Sequence, residues 1–285
     1  MGTQPSLHLC PPTLDASKPS VSPAIESLTP SMPPHRLDVL RHFDAVFSET
    51  PVSSRKDIED AFRLRYQVYC LDRGFEDATA CPDGQERDQY DDAALHCLLR
   101  DRIGRHPLGT ARVVTTTGRA PGIDSLPLAE YASEESMEIL RALPGASTAE
   151  VSRVAIARSA RDILRQAAKA TEARLGTTGE TPQCFEKLLP YMTLGLFRGI
   201  IRVSMLRGMT HWCLAAEPSL LRRLRSLGLH FQPAGSLVEH RGLRQICYAE
   251  ITALLARAEI ERPEVWDIMT LGGLLLSNES ARIVA

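Results

Sequence analysis

The chain has 285 residues, of which 44% are hydrophobic and 24% charged, and its formal net charge is -2. These values describe an ordinary soluble globular protein of one large or two small domains, and no apolar run approaches the ~20 residues that a membrane span requires. Seven cysteines, widely spaced and without a C-x-x-C pair, argue against a disulfide framework or a zinc site, and with no basic-apolar leader a reducing, cytoplasmic location is expected.

Residues 1 to about 34 hold eight prolines with scattered serines and little periodic hydrophobicity. Such a stretch buries too little surface to offset the entropy of ordering. A disordered Pro/Ser-rich tail is therefore expected over residues 1–50, ahead of a single folded domain spanning 51–285. From Lys56 to Leu71 the sequence reads as an amphipathic helix, with Ile58, Ala61, Phe62, Leu64, Val68, Tyr69 and Leu71 on one apolar arc. Arg65 falls in the middle of that arc. Either it snorkels to the helix edge, or it is buried against a carboxylate, for which Glu86, Asp88, Asp91 and Glu150 are available.

Ala94 to Leu99 and Leu108 to Thr116 follow as two strands of an antiparallel hairpin, and Ala149 to Ala157 as a third. Residues 159–184, rich in Arg, Ala, Thr and Gly, read as an exposed insertion that is helical in its first half. Pro190 to Gly208 is a helix apolar over more than one face, His211 to Ala216 a buried strand, and Pro218 to Gly228 a second helix. Ser236 to His240 and Gln245 to Ile251 complete the strands before a C-terminal helical region containing Trp266. This order predicts a mixed α/β domain around one sheet. Tyr191 to Ala249 holds eight arginines against Glu217 and Glu239, an excess of six positive charges suited to an acidic partner or a phosphate. Its helices lack aromatic interleaving, which speaks against nucleic acid. The eight histidines show no ligand spacing, so no metal is expected.

Four short motifs occur in order: Arg65-x-x-x-Tyr69 followed by Phe75; Glu86-x-Asp88-x-Tyr90-Asp91; Gly109-Thr110-Ala111-Arg112; and Glu150-Val151-Ser152-Arg153. Their order and spacing resemble the acyl-homoserine-lactone synthases and N-acyl amino acid synthases, a branch of the GNAT-like acyltransferase fold. The second half, with Pro190 to Gly208, His211-Trp212-Cys213 through Glu217-Pro218-Ser219-Leu220, and Val238-Glu239-His240-Arg241-Gly242-Leu243-Arg244-Gln245, is similar to acyltransferases associated with PEP-CTERM/exosortase systems.

The resemblance implies an α/β fold of the GNAT type, a mixed, mostly antiparallel central sheet flanked by helices. It also implies an acyl carrier protein or coenzyme A thioester as co-substrate, with no permanently bound cofactor. Arg65, Asp88, Asp91, Arg112, Glu150 and Arg153 alternate in sign, and such a cluster can hold a zwitterionic amino acid while pairing its own charges. The expected catalytic residues are Glu150, as general base toward the attacking amine, Asp88, as the reserve base, and Arg153. Arg65, Tyr69, Phe75, Asp91 and Arg112 are expected to bind substrate, with the arginine forks suited to its carboxylate. In a regular strand Glu150 and Arg153 face opposite ways, so they share a pocket only if the strand bulges. GNAT-like folds have such a bulge, where backbone N–H groups face the thioester carbonyl.

Leu194, Phe197 and Ile201 are expected to line the acyl-chain pocket, and Arg222, Arg223 and Arg225 to dock the carrier. Cys97 and Cys213 read as small core residues, with no covalent intermediate required. Tyr69 and Phe75 stand where homoserine-lactone synthases generally have Phe and Trp near the S-adenosylmethionine pocket, which favours an N-acyl amino acid over a lactone. The alternatives are an S-adenosylmethionine-dependent lactone synthase and a non-catalytic carrier-binding module. Contact with a membrane would be peripheral, through the acyl product.

Overall fold

A computed structural model of the chain describes residues 32–116, 122–166 and 191–277. The expected tail up to residue 31 and the insertion from 167 onward lie outside the described residues.

The folded part begins earlier than residue 51. Pro33 and Pro34 open a helix, α1 (Pro34–Val46), whose Leu37, Leu40, Phe43 and Val46 recur every third residue and are buried. Strand β1 (Phe47–Pro51) follows and pairs antiparallel with β2 (Ala94–Asp101). The placement of a disordered tail up to residue 50 is thus corrected for residues 34–50.

Helix α2 (Arg55–Arg65) starts where the Ser54 side chain accepts a hydrogen bond from Asp57 N–H, and it continues as a π-helical turn, Tyr66–Asp72. A π turn winds fewer degrees per residue than an α turn. It therefore carries Leu71 off the apolar arc to 54% exposure and brings the half-buried Tyr69 over the sheet, where its Oη donates to Val154 O at 3.2 Å.

The other elements are β3 (Pro107–Thr115), α3 (Glu134–Arg141), β4 (Thr148–Ile156), α4 (Met192–Leu206), β5 (His211–Ala216), α5 (Pro218–Ser226), β6 (Gln232–Pro233), β7 (Val238–Glu239), β8 (Leu243–Glu250), α6 (Ile251–Glu261) and α7 (Pro263–Thr270). The strand expected at Ser236 to His240 is reduced to β7. Helix α3, capped by Ser133 and with Glu134 and Glu135 in its first turn, has no counterpart in the expectation. Residues 160–166 are helical, and Ala160 and Leu164, one turn apart, are buried. The start of the supposed exposed insertion therefore packs into the core.

The strands form one open, mostly antiparallel sheet in the order β1-β2-β3-β4-β5-β8-β6, with β7 paired to β8. One core lies between the sheet and helices α1, α4 and α7. A smaller one on the other face packs Leu126, Leu128, Met137 and Leu140 on Val114, Cys213 and Ile246. Cys97 and Cys213 are fully buried, as expected of small core residues.

Among the described residues the junction of β4 and β5 is the one parallel pairing, and it is short: Thr148, Ala149 and Glu150 oppose His211, Trp212 and Cys213, and the strands diverge beyond. On its other side β4 stays paired to β3 throughout, with a bulge. Thr110 opposes Ala155 while Arg112 opposes Ser152, so β4 holds one residue more than β3 over this stretch. Arg153 sits in the bulge with φ +51.

Gly109 stands just past the bulge on β3. A Cβ there would approach Ala155 O to 2.9 Å and Leu196 Cδ1 to 3.2 Å, so only glycine lets both β4 and α4 close on this strand. Gly109→Ala is predicted to destabilise the fold by about 1–3 kcal/mol, the usual scale of overpacking. Urea unfolding measures it, and an unchanged midpoint would show that β4 moves aside freely.

Candidate functional site

Arg65 is fully buried, and the snorkelling alternative does not apply. Its Nε donates to Glu86 Oε2 at 2.5 Å, and Nη1 and Nη2 donate to Asp91 Oδ1 and Oδ2 at 2.6 and 3.0 Å. From β3, Arg112 donates through Nη1 to Asp88 Oδ1 at 2.6 Å and Asp91 Oδ1 at 2.8 Å, and through Nε to Ser152 Oγ at 3.1 Å. From the β4 bulge, Arg153 reaches Glu76, Glu86 and Asp88 at 3.0–3.1 Å and lies 5.5 Å over the Tyr69 ring.

The loop from Phe75 to Asp91 therefore supplies the carboxylates, and α2, β3 and β4 one guanidinium each. Desolvation works to raise the pKa values of Glu86, Asp88 and Asp91, but the arginines outweigh it and hold all three below the ordinary carboxylate range. This settled pairing suits Asp88 and Asp91 to bracing and makes Asp88 a weak base.

Glu150 is in the opposite condition. It is 2% exposed and accepts a hydrogen bond from Leu128 N–H at 2.8 Å. Desolvation pushes its carboxyl up to about 7, against the lowering effect of the Leu128 hydrogen bond and the nearby Arg112 and Arg153. It is the last β4 residue paired to β5, at the point of divergence.

A cavity of about 920 Å³ occupies that divergence, at the upper end of the size range of ligand sites. One end is polar, with Glu76, Glu86, Asp88, Arg112, Glu150 and Arg153 in its wall. The other runs between the strands toward α4 and is lined by Val151, Phe197, Leu214, Leu220 and Leu224. The bulge brings Glu150 and Arg153 into one wall, which strand alternation alone forbids. Tyr69 and Phe75 also line it, whereas Arg65 and Asp91 stand behind it and brace the residues that do.

Arg112 is 1% exposed, and its Nη2 has no hydrogen-bond partner among the described residues. The Arg112 side chain borders the polar end of the cavity, with that one donor buried and unsatisfied.

Of the residues expected around an acyl chain, Phe197 lines the cavity, while Leu194 and Ile201 are buried in the core away from its wall. Arg222, Arg223 and Arg225 are exposed on α5, and Arg223 reaches the cavity, as does Arg158. The arginine excess of this region is not one surface. Arg198 and Arg202 instead point toward α1 and β1, where Glu49 pairs with both and Asp44 with Arg198.

Sequence reasoning missed Glu76 and Tyr131, and gave no role in the site to Glu217, His240, Arg241 or Arg244, all of which line the cavity. The turn signal at Arg241-Gly242 was the one local hint for the last group. His240 stacks on Tyr131 with ring centroids 3.7 Å apart.

Residues 64–167 match the GNAT acetyltransferase domain family. No curated protein matches the chain. Among solved structures, TofI in a ternary complex with an inhibitor and MTA is 20% identical, covering 77% of this chain and 99% of its own, with a TM-score of 0.50. The CoA-dependent acyl-homoserine lactone synthase MesI is 20% identical over 79% of this chain and 95% of its own, and BjaI, solved with SAM and isopentyl-CoA, 19% identical over 80% and 89%, each with a TM-score of 0.50. These likenesses establish the GNAT-like fold.

The Glu150 carboxyl is raised above its unfolded value of about 4.3, so the folded protein binds that proton more tightly and loses stability as pH rises from ~4 through 7. Glu150→Gln can keep the Leu128 hydrogen bond without the buried charge. The variant is predicted to be more stable than the parent at pH 8, with the difference vanishing near pH 4, in urea unfolding at the two pH values. A variant less stable at pH 8 would mean that Glu150 is held charged by a partner. Asp88, Asp91 and Glu86 have the opposite linkage: their contribution is present above about pH 4 and lost as pH falls toward their depressed values.

Proposed function

We propose that the chain, whose residues 64–167 match the GNAT acetyltransferase domain family, is an acyltransferase that moves a fatty acyl group from an acyl carrier protein or coenzyme A thioester to the amine of an amino acid or similar small molecule. The observation that carries this is Glu150: a buried carboxyl raised to about 7, in the wall of a cavity with one charged and one apolar end, where two strands part. A carboxylate poised near neutrality suits proton removal from an ammonium.

The thioester carbonyl sits at the divergence, its acyl chain along the apolar end past Phe197. The acceptor carboxylate is drawn to the Arg112 guanidinium in the polar wall, placing its nitrogen near Glu150. Glu150 accepts one proton, the freed amine attacks the carbonyl carbon, and the C–N bond forms. When the C–S bond breaks, the sulfur leaves as thiol with the second ammonium proton, and the proton on Glu150 returns to solvent. Beyond Glu150, β4 has no ladder partner on its β5 side, so main-chain N–H groups around the bulge can face the developing oxyanion. Arg158 and Arg223 suit the phosphate of a phosphopantetheine or nucleotide arm, and the exposed Arg222 and Arg225, one turn apart on α5, suit an acidic carrier.

A plain amino acid is favoured over S-adenosylmethionine because the aromatic rings that could receive a sulfonium are already faced by this chain's own cations. Phe75 lies under Arg73 at 5.8 Å and Arg244 at 5.2 Å, and Tyr69 under Arg153 at 5.5 Å.

Turnover of acyl thioesters with a panel of amino acids, with S-adenosylmethionine alongside, tests this reading. Activity is predicted to rise with pH through about 7 as Glu150 ionises, and Glu150→Gln to lower turnover roughly 10²–10⁴-fold. Near-normal turnover in that variant would move the base elsewhere, and dependence on S-adenosylmethionine would identify a lactone synthase. Phe197→Ala enlarges the apolar end and is predicted to shift preference toward longer acyl chains in the same assay. A loss of stability with unchanged preference would make Phe197 a core residue only.

A further inference from the structure

The sheet consists of two halves, β1 to β4 and β5 to β8, whose strands join only where Thr148–Glu150 meets His211–Cys213. Past that junction no ladder fixes the distance between β4 and β5, yet this is where the cavity lies. Side chains take over that task. On the β4 side, Glu76 Oε1 accepts from Arg153 Nη2 at 3.1 Å, and Phe75 N–H donates to the backbone of Tyr69, whose Oη is bonded to β4. On the β5 side stands Glu217, between β5 and α5.

The β7–β8 turn belongs to the β5 half and reaches back to the other. Arg241 grips both Glu76 oxygens at 2.8 Å. Arg244 pairs with Glu217 Oε1 at 2.9 Å while its guanidinium lies 5.2 Å over the Phe75 ring. The turn also holds Arg244 itself, with Nε donating to His240 O at 3.1 Å and Nη2 to Arg241 O at 2.8 Å. A φ of +53 at Arg241 and +92 at Gly242 gives the turn the shape that directs both side chains across the gap.

We propose that Arg241 and Arg244 are positioning residues that latch β4 to β5 across their divergence and so set the gap that receives the acyl thioester. Two planar forks hold geometry as a ladder would, but each partly exposed ion pair is weak alone. The latch can therefore release for a bulky donor and re-form around it. The part concerning the thioester rests on the proposed acyl transfer; the latch itself does not.

Two measurements separate them. Amide hydrogen exchange in Arg241→Ala/Arg244→Ala should accelerate ~10-fold in residues 151–156 and 214–216 and remain unchanged in β2 and β3. With dodecanoyl-coenzyme A as donor, the KM for the thioester should rise ~10-fold while kcat changes less than ~3-fold. Arg244→Lys, which keeps the pairing with Glu217 but not the planar contact with Phe75, should fall between, and Glu76→Gln tests the Arg241 contact across the gap from the other partner should the double variant not fold. Unchanged exchange around the gap, or exchange raised equally throughout the sheet, overturns the latch. An unchanged KM overturns its role toward the donor, whereas absence of turnover in the parent protein overturns the acyl-transfer reading and leaves the latch to be decided by exchange.

Discussion

A guanidinium buried without a partner would cost several kcal/mol, and this requirement organises the front of the molecule. Arg65 projects from α2 into the interior, so the chain that follows must return carboxylates to it, and Glu86 and Asp91 do so. Once the loop is held there, Asp88 and Glu76 come within reach of Arg112 and Arg153. The charged network thereby fixes a loop with little regular structure against three different elements. The π turn after Arg65 belongs to the same arrangement, because it sets Tyr69 over β4 and starts the loop in the required direction.

Two populations of carboxyl group result within one small volume. Glu86, Asp88 and Asp91 are each met by arginine and kept ionised. Glu150 is only a few residues away in space but receives a single backbone N–H, and burial dominates its titration. The separation is one of both depth and hydrogen-bond supply, since Glu150 is 2% exposed with a single donor whereas Asp88 is partly exposed and met by two arginines. It assigns the bracing role to the first group and leaves Glu150 as the group able to exchange a proton near neutrality.

The divergence of β4 and β5 has a related logic. An opening in a sheet exposes unpaired backbone groups, which is tolerable where they face a cavity that a ligand can fill. The bulge at Arg153 turns that strand so that residues of both faces reach the same space. Helix α4 closes the back of the opening and gives it an apolar floor at Phe197.

Much of this was legible in the chain. The helical period alone placed Arg65 on the apolar arc, and the spacing of Glu150 and Arg153 required a bulge if both were to share a wall. Local pattern could also have found α1, since Pro34 and the three-residue recurrence of Leu37, Leu40 and Phe43 are helix signals obscured by the proline-rich stretch before them. It could not have found the exposure of Leu71, because a π turn is imposed by what the loop must reach rather than by propensity. Nor could it join Phe75, Glu76, Glu217, Arg241 and Arg244, which lie in three distant segments and meet because the two half-sheets part. The sequence by itself determined that Arg65 would fall on an apolar arc and which elements would carry the charged motifs, since both follow from residue type and period. Only the tertiary structure decided which carboxyl would stay protonatable, because desolvation depends on everything packed around a group and not on its neighbours along the chain.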